Sequence, residues 1–252
     1  MKRPLLVAGN WKMNKNARES IDFMHELLRE IEDEEQIYFA LFPQNINLLT
    51  AKQVLAGTKV AWGAQNCHFE ESGAYTGETS ARHISEIGAT LVLIGHSERR
   101  EYFGESNQMV AKKLQMAQSW GLTPIVCVGE TLDVFEAGNT ERFIQNQIEE
   151  SLDGARFDGS LIIAYEPVWA IGTGKVATPE IAEKVQAIIR QKLKELSNSE
   201  TAERIQILYG GSVKPDNAKD LYLMPNIDGF LVGGASLQVS SFVNIYYSCR
   251  AT

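Results

Sequence analysis

The chain has 252 residues, of which 44% are hydrophobic, 22% charged and 9% aromatic, an ordinary composition for a globular protein. Its net charge of −8 argues against a nucleic-acid partner, which calls for a basic stripe, but a local field can still favour a small anionic ligand. Cys67, Cys127 and Cys249 are odd in number and scattered, and His25, His68, His83 and His96 are dispersed, so neither a disulfide framework nor a metal site is expected. Met1-Lys2-Arg3 starts like a signal peptide, but the apolar run Leu5–Ala8 is shorter than an h-region of roughly 7–15 residues. No segment approaches the roughly 18 apolar residues of a membrane span. The expectation is a cytoplasmic protein with no membrane partner.

In chain order, short apolar runs alternate with longer amphipathic stretches. Leu5–Ala8 is followed by a helical face of Ile21, Met24, Leu28 and Ile31, which ends in the acidic run Glu32–Glu35. Next come the runs Ile37–Leu41, Val60–Ala64 and Leu91–Ile94, then a helix on Val110, Leu114 and Ala117 with Gly121 as its cap. The runs Ile125–Val128 and Leu161–Ala164 precede a helix opened by Thr178-Pro179-Glu180, with Ile181, Val185, Ile188, Ile189, Leu193 and Leu196 on one face. There Thr178 suits the N-cap, Pro179 the first helical position and Glu180 the positive end of the dipole. Ile205–Leu208 and Phe230–Val232 complete eight runs. They are continuous rather than alternating, as in parallel strands buried on both faces. No linker or composition break divides the chain, so residues 1–252 are predicted to form one α/β domain, a (β/α)8 barrel with a parallel eight-stranded core. An open doubly wound sheet is the alternative. In either fold, ligands sit at the C-terminal ends of the strands.

Those ends carry the chemistry. The first run leads into Gly9-Asn10-Trp11-Lys12-Met13-Asn14 and the fourth into Gly95-His96-Ser97-Glu98-Arg99-Arg100. The sixth leads into Tyr165-Glu166-Pro167-Val168-Trp169-Ala170-Ile171-Gly172-Thr173-Gly174. Glu166 ends a buried strand, Pro167 fixes the chain after it, and an exposed apolar tip carrying Val168, Trp169 and Ile171, with glycines beyond, reads as a lid that keeps water off a carboxylate; a connection packed into the core is the alternative. Gly172–Ala177 fits a G-x-G-x-x-A pattern, but a dinucleotide fingerprint opens a helix directly after a strand, and here the helix cap comes later. The seventh run ends in Gly210-Gly211-Ser212 and the eighth in Gly233-Gly234. Glycines let backbone N–H groups approach an anion, and the loops after strands 7 and 8 are where barrels commonly hold phosphate. A phosphate-bearing substrate, a carboxylate base, a histidine, a lysine and a lid follow from the residues alone.

Gln65 to Ser80 is sixteen residues long, beyond the roughly 12–15 at which a structureless loop becomes unusual in a compact domain. Its tip, Gly73-Ala74-Tyr75-Thr76-Gly77, offers an aromatic anchor of the kind that forms interface hot spots. A homodimer built on this loop is expected.

These stretches, together with Trp62–Asn66, Gly73–Glu78 and Gly229–Ala235, resemble the triosephosphate isomerase family in order from Gly9 to Ala235. The resemblance implies interconversion of dihydroxyacetone phosphate and D-glyceraldehyde 3-phosphate through an enediolate, in glycolysis and gluconeogenesis, without a cofactor. It implies that Glu166 is the base and that His96, as neutral imidazole, polarises the carbonyl. Lys12 supplies positive charge, Asn10 orients the substrate, and Glu98 partners the charged cluster. Gly172, Ser212, Gly233 and Gly234 hold the phosphate. At the dimer interface it implies that Thr76 reaches the partner's Asn10 and the partner's Lys12, with Tyr75 and Met13 packing nearby. Two other readings of the residues stay open: a Schiff-base aldolase on Lys12, and a barrel that grips phosphate without catalysis.

Overall fold

The computed structural model describes residues 3–31, 38–170 and 177–250. The first half of the chain runs β1 (Leu6–Asn10), α1 (Ala17–Glu30), β2 (Phe39–Phe42), α2 (Leu48–Leu55), β3 (Ala61–Ala64), α3 (Ala81–Glu86), β4 (Leu91–Ile94), α4 (Ser97–Phe103) and α5 (Asn107–Ser119). It continues through β5 (Thr123–Val128), α6 (Leu132–Glu136), α7 (Thr140–Ser151), β6 (Ile162–Tyr165), α8 (Pro179–Leu196) and α9 (Ser199–Arg204). The last elements are β7 (Gln206–Tyr209), α10 (Pro215–Tyr222), β8 (Gly229–Val232) and α11 (Val239–Arg250). The strands pair in sequence order, all parallel, and β8 pairs back onto β1. Closure excludes the doubly wound alternative, in which two strand edges stay open.

Because side chains alternate across a strand, the runs divide between two cores. Leu6, Ala8, Ala40, Phe42, Leu93, Ile125, Ala164, Leu208 and Leu231 fill the barrel interior. Val7, Phe39, Leu41, Val92, Ile94, Val126, Ile163, Ile207 and Phe230 face the helices. Runs that read as uniformly apolar are thus strands with both faces covered. The same two-residue period carried past the apolar residues puts Asn10 in line with Leu6 and Ala8, and Glu166 in line with Ile162 and Ala164.

All eight runs are strands; Leu91–Ile94 keeps its predicted bounds, and the others have shifted ends. β1, β6 and β7 continue to Asn10, Tyr165 and Tyr209, because backbone pairing does not stop where apolar side chains do. Ile37 and the run Glu32–Glu35 lie outside the described residues. In α1 the buried positions are Ser20, Phe23, Met24 and Leu27; Ile21 and Leu28 lie at the border of that face, so the buried stripe is turned from the one expected. In α5 the C-cap is Trp120, one residue before Gly121. For α8, Thr178 caps the helix with its hydroxyl 3.3 Å from the N–H of Ile181.

The barrel is clamped at its closing seam. Gly229 lies so near β1 that a Cβ there would sit 2.0 Å from the carbonyl oxygen of Leu6. Beside it the buried Asp228 accepts hydrogen bonds from Arg3 Nε (2.6 Å), Arg190 Nη2 (2.8 Å) and the N–H of Ile207 (2.8 Å).

Candidate active site

The strand ends converge on a cavity of about 380 Å³ lined by Asn10, Lys12, His96 and Glu166, with Gly210–Lys214 and Gly233–Ala235 along its other edge. A larger groove of about 1020 Å³ runs beside it under α4, α5 and α6 and meets it at Lys12 and Glu166. The smaller cavity holds the convergent charges and both glycine pairs, so it is the candidate site.

Glu166 is 2% exposed and fully engaged. Oε2 accepts the N–H of Ser97 (2.9 Å), while Oε1 accepts Ser97 Oγ (3.1 Å) and lies 3.0 Å from His96 Nε2. Burial pushes this carboxyl up, but His96 and the Ser97 donors outweigh it and hold Glu166 below the ordinary carboxylate value. His96 occupies the N-cap of α4, where its Nδ1 accepts the N–H of Glu98 at 3.3 Å. A nitrogen that accepts carries no proton, so this bond selects the tautomer with its proton on Nε2, facing Glu166. Burial draws the imidazole down, and Lys12 adds to that, but Glu166 reverses the balance and raises His96 above its ordinary value.

Lys12 adopts φ +52, rare for a side chain with a Cβ. Two amides pin it: Asn10 Oδ1 accepts its N–H (3.1 Å), and Gln65 Nε2 donates to its carbonyl and to that of Phe42, both at 2.8 Å. Its ammonium lies 2.5 Å from Glu98 Oε1 and runs beside Gly233, where an added Cβ would sit 3.5 Å from Lys12 Cε. Asn10, Lys12, His96, Glu166, Ser212, Gly233 and Gly234 therefore share one cavity, with Glu98 against Lys12. Gly172 lies outside the described residues, as do the others from Ile171 to Val176, which include the glycines of the expected lid.

The lid's first turn is described, and it differs from expectation. Val168–Ala170 forms a 3-10 turn in which Trp169 is buried rather than exposed. Its indole stacks on Phe135 at 4.2 Å and donates through Nε1 to Glu130 Oε1 at 2.8 Å; Tyr165 OH donates to the same oxygen at 3.1 Å. Glu130 Oε2 and the Tyr209 hydroxyl are buried without a hydrogen-bond partner.

Met13 is 87% exposed and Tyr75 43%, and Thr76 is exposed as well. The loop Gln65–Ser80 holds itself through an isolated bridge from His68 to Ser80, the bond from Ser80 Oγ to the carbonyl of Glu71 (2.6 Å), and the packing of Tyr75 on His68 at 4.2 Å. Part of the ordering that a partner was expected to supply is therefore internal to the loop.

Comparison with known proteins settles the ancestry. The family model for triosephosphate isomerase matches residues 5–249. The chain belongs to the triosephosphate isomerase family. Relatives of that name include those of Carboxydothermus hydrogenoformans (47% identical over 247 residues, 97% of this chain and 98% of the relative), Chlorobium phaeobacteroides (45% over 244, 96% and 98%) and Rhodopirellula baltica (47% over 248, 97% and 97%). As a member of this family the chain is an isomerase. Among the described residues, no helix is long and apolar enough to cross a membrane.

Reading the sequence missed Ser97, Gln65, Glu130 and Tyr209. Ser97 stood inside a motif singled out for its histidine. Gln65 and Glu130 act through contacts 53 and 39 residues away, which no local pattern encodes. For Tyr209 the signal was its position at the end of the seventh run.

Proposed function

We propose that the chain interconverts dihydroxyacetone phosphate and D-glyceraldehyde 3-phosphate through an enediolate, in glycolysis and gluconeogenesis, as a cytoplasmic homodimer. The observation that carries this reading is the meeting of Glu166, His96 and Lys12 in a cavity edged by two glycine pairs. The glycine edge, with Ser212 and Gly172, takes the phosphate.

Glu166 removes a proton from the carbon beside the carbonyl. The C–H electrons move into the carbonyl, and negative charge develops on its oxygen. His96 donates Nε2–H to that oxygen, and the ammonium of Lys12 together with Asn10 stabilises the charge, since fixed donors aimed at a developing anion act strongly in a dry site. His96 gives its Nε2 proton to that oxygen and takes one from the neighbouring hydroxyl, and returning the proton from Glu166 to the neighbouring carbon completes the exchange. In the resting arrangement three donors hold Glu166, which suits it to wait and not to abstract. To act it must turn from Ser97 to the substrate, and it then loses those donors while burial continues to raise its basicity. The influence that raises His96 leaves with it, and burial, Lys12 and the Glu98 N–H favour the neutral, donating imidazole.

The ion pair of Lys12 with Glu98 speaks against a Schiff-base aldolase, which needs a neutral amine. In a coupled assay the parent chain isomerises both trioses, and Glu166→Gln keeps phosphate binding while losing several powers of ten in rate, at about 1.4 kcal/mol each. Activity within tenfold of the parent would remove Glu166 from the role of base.

A further inference from the structure

Arg100 belongs to α4 but faces away from the substrate cavity, and its guanidinium reaches four separate segments. Nε donates to the carbonyl of Gly95 at 2.7 Å and Nη1 to Asn107 Oδ1 at 2.6 Å. Nη2 donates to the carbonyl of Cys127 at 3.1 Å and to Ser151 Oγ at 3.3 Å. These acceptors stand at the end of β4, the start of α5, the end of β5 and the end of α7. Gly95 is the residue before His96, at φ +68, and a Cβ there would sit 2.9 Å from Arg100 Nη2 and 2.7 Å from Val110 Cγ2. The guanidinium thus occupies the space that a side chain at position 95 would need. Cys127 lies against Glu166, whose charge raises its thiol further after burial has raised it.

All four acceptors are neutral, so no carboxylate bonded to Arg100 cancels its charge. The carboxylates whose fields reach it are Glu166 and Glu105, and Glu105 is already paired with Arg99 and Lys113, each at 2.5 Å.

We propose that Arg100 is a positioning residue for the isomerisation, holding the ends of β4 and β5 together so that His96 faces Glu166. The inference rests on the reading of Glu166 as base and adds to it a residue that touches no substrate. Guanidinium geometry is essential to this role, because a lysine offers charge from a single point and cannot span four acceptors.

Arg100→Met removes the clamp, and kcat is expected to fall on the order of 10–100-fold, the scale of an ångström-sized misplacement, while the dissociation constant of inorganic phosphate stays within twofold of the parent. Arg100→Lys keeps the positive charge but not the parental kcat. An unchanged kcat in Arg100→Met, a parental kcat in Arg100→Lys, or a phosphate affinity that falls in proportion to rate overturns the proposal. Should Arg100→Met fail to fold, Arg100→Lys and Asn107→Ala decide: each lowers kcat with phosphate affinity retained, and parental kcat in either overturns it. If Glu166→Gln keeps its activity, the reading of the base fails instead, and the Arg100 variants then still report on kcat alone.

Discussion

Glu166 and His96 restrain each other, and the restraint is measurable at the level of single protons. Removing the carboxylate by Glu166→Gln leaves burial, the largest influence, and Lys12 opposing the charging of the imidazole, against Glu98 alone favouring it. His96 in that variant should titrate below the ordinary histidine value of about 6.5, and in the parent above it. Proton resonances of the imidazole ring followed from pH 5 to 9 give both values; an equal or higher value in the variant would show that Glu166 is not what raises His96. The linkage follows with its sign. In the parent, His96 adds stability that is present below the unfolded value and is lost as pH rises through the folded one, and in Glu166→Gln its contribution runs the other way. At this scale the sequence was legible wherever chemistry sits in a contiguous motif at a strand end: Asn10, Lys12, His96 and Glu166 all reach the cavity. It was not legible where one member of a pair lies far along the chain. Ser97 donates to a carboxylate 69 positions away, and nothing local to either residue signals the other.

Among elements, the turn from β6 into Val168–Ala170 joins the base to the lid, and Glu130 is its fastening. Burial raises the Glu130 carboxyl, while the bonds from Trp169 and Tyr165 only partly offset it. An acid raised on folding contributes stability that is complete below its unfolded pKa and is lost as pH rises through the folded value. Glu130→Gln abolishes that loss. The stability of the variant relative to the parent should therefore improve between pH 4 and 7, by no more than about 1.4 kcal/mol per pH unit, in urea unfolding at fixed protein concentration. A difference that stays flat across that range refutes the assignment. Elements were read best where cap and period agree, as at Thr178 and the face of α8. In α1, Phe23 and Leu27 lie between the residues first matched to a helical face, and packing selects the stripe they centre. Trp169 looked like an exposed lid residue because its two partners come from the preceding barrel unit, Glu130 from just after β5 and Phe135 from α6.

For the molecule as a whole, two features join parts of the chain that lie far apart. One is the loop Gln65–Ser80, with Gln65 pinning Lys12 at its base and Tyr75 half-exposed at its tip. Under the proposed dimer, Thr76→Arg combined with Tyr75→Asp yields monomers with much reduced turnover although every catalytic residue is present. Sedimentation at micromolar concentration tests it, and a fully active parent monomer of 28.0 kDa would falsify the dimer. The other is the seam at Asp228. Replacing it by asparagine leaves Arg190, whose side chain is 4% exposed, without its anionic partner, a change that typically costs about 3–5 kcal/mol. Equilibrium unfolding in urea should register it, and a loss below about 1 kcal/mol, the worth of an exposed pair, would mean that the seam does not depend on that charge. The seam also has a consequence in time. Arg3 and Asp228 are 225 positions apart, and a ribosome adding roughly 5–20 residues each second makes the second on the order of 10–45 s after the first. Throughout that interval β1, already synthesised, has no β8 to pair with, and the N–H and C=O groups along that edge are open to any other strand in the cell. A nascent chain of this protein is thus a client for folding helpers until its final segment emerges, however stable the finished barrel is.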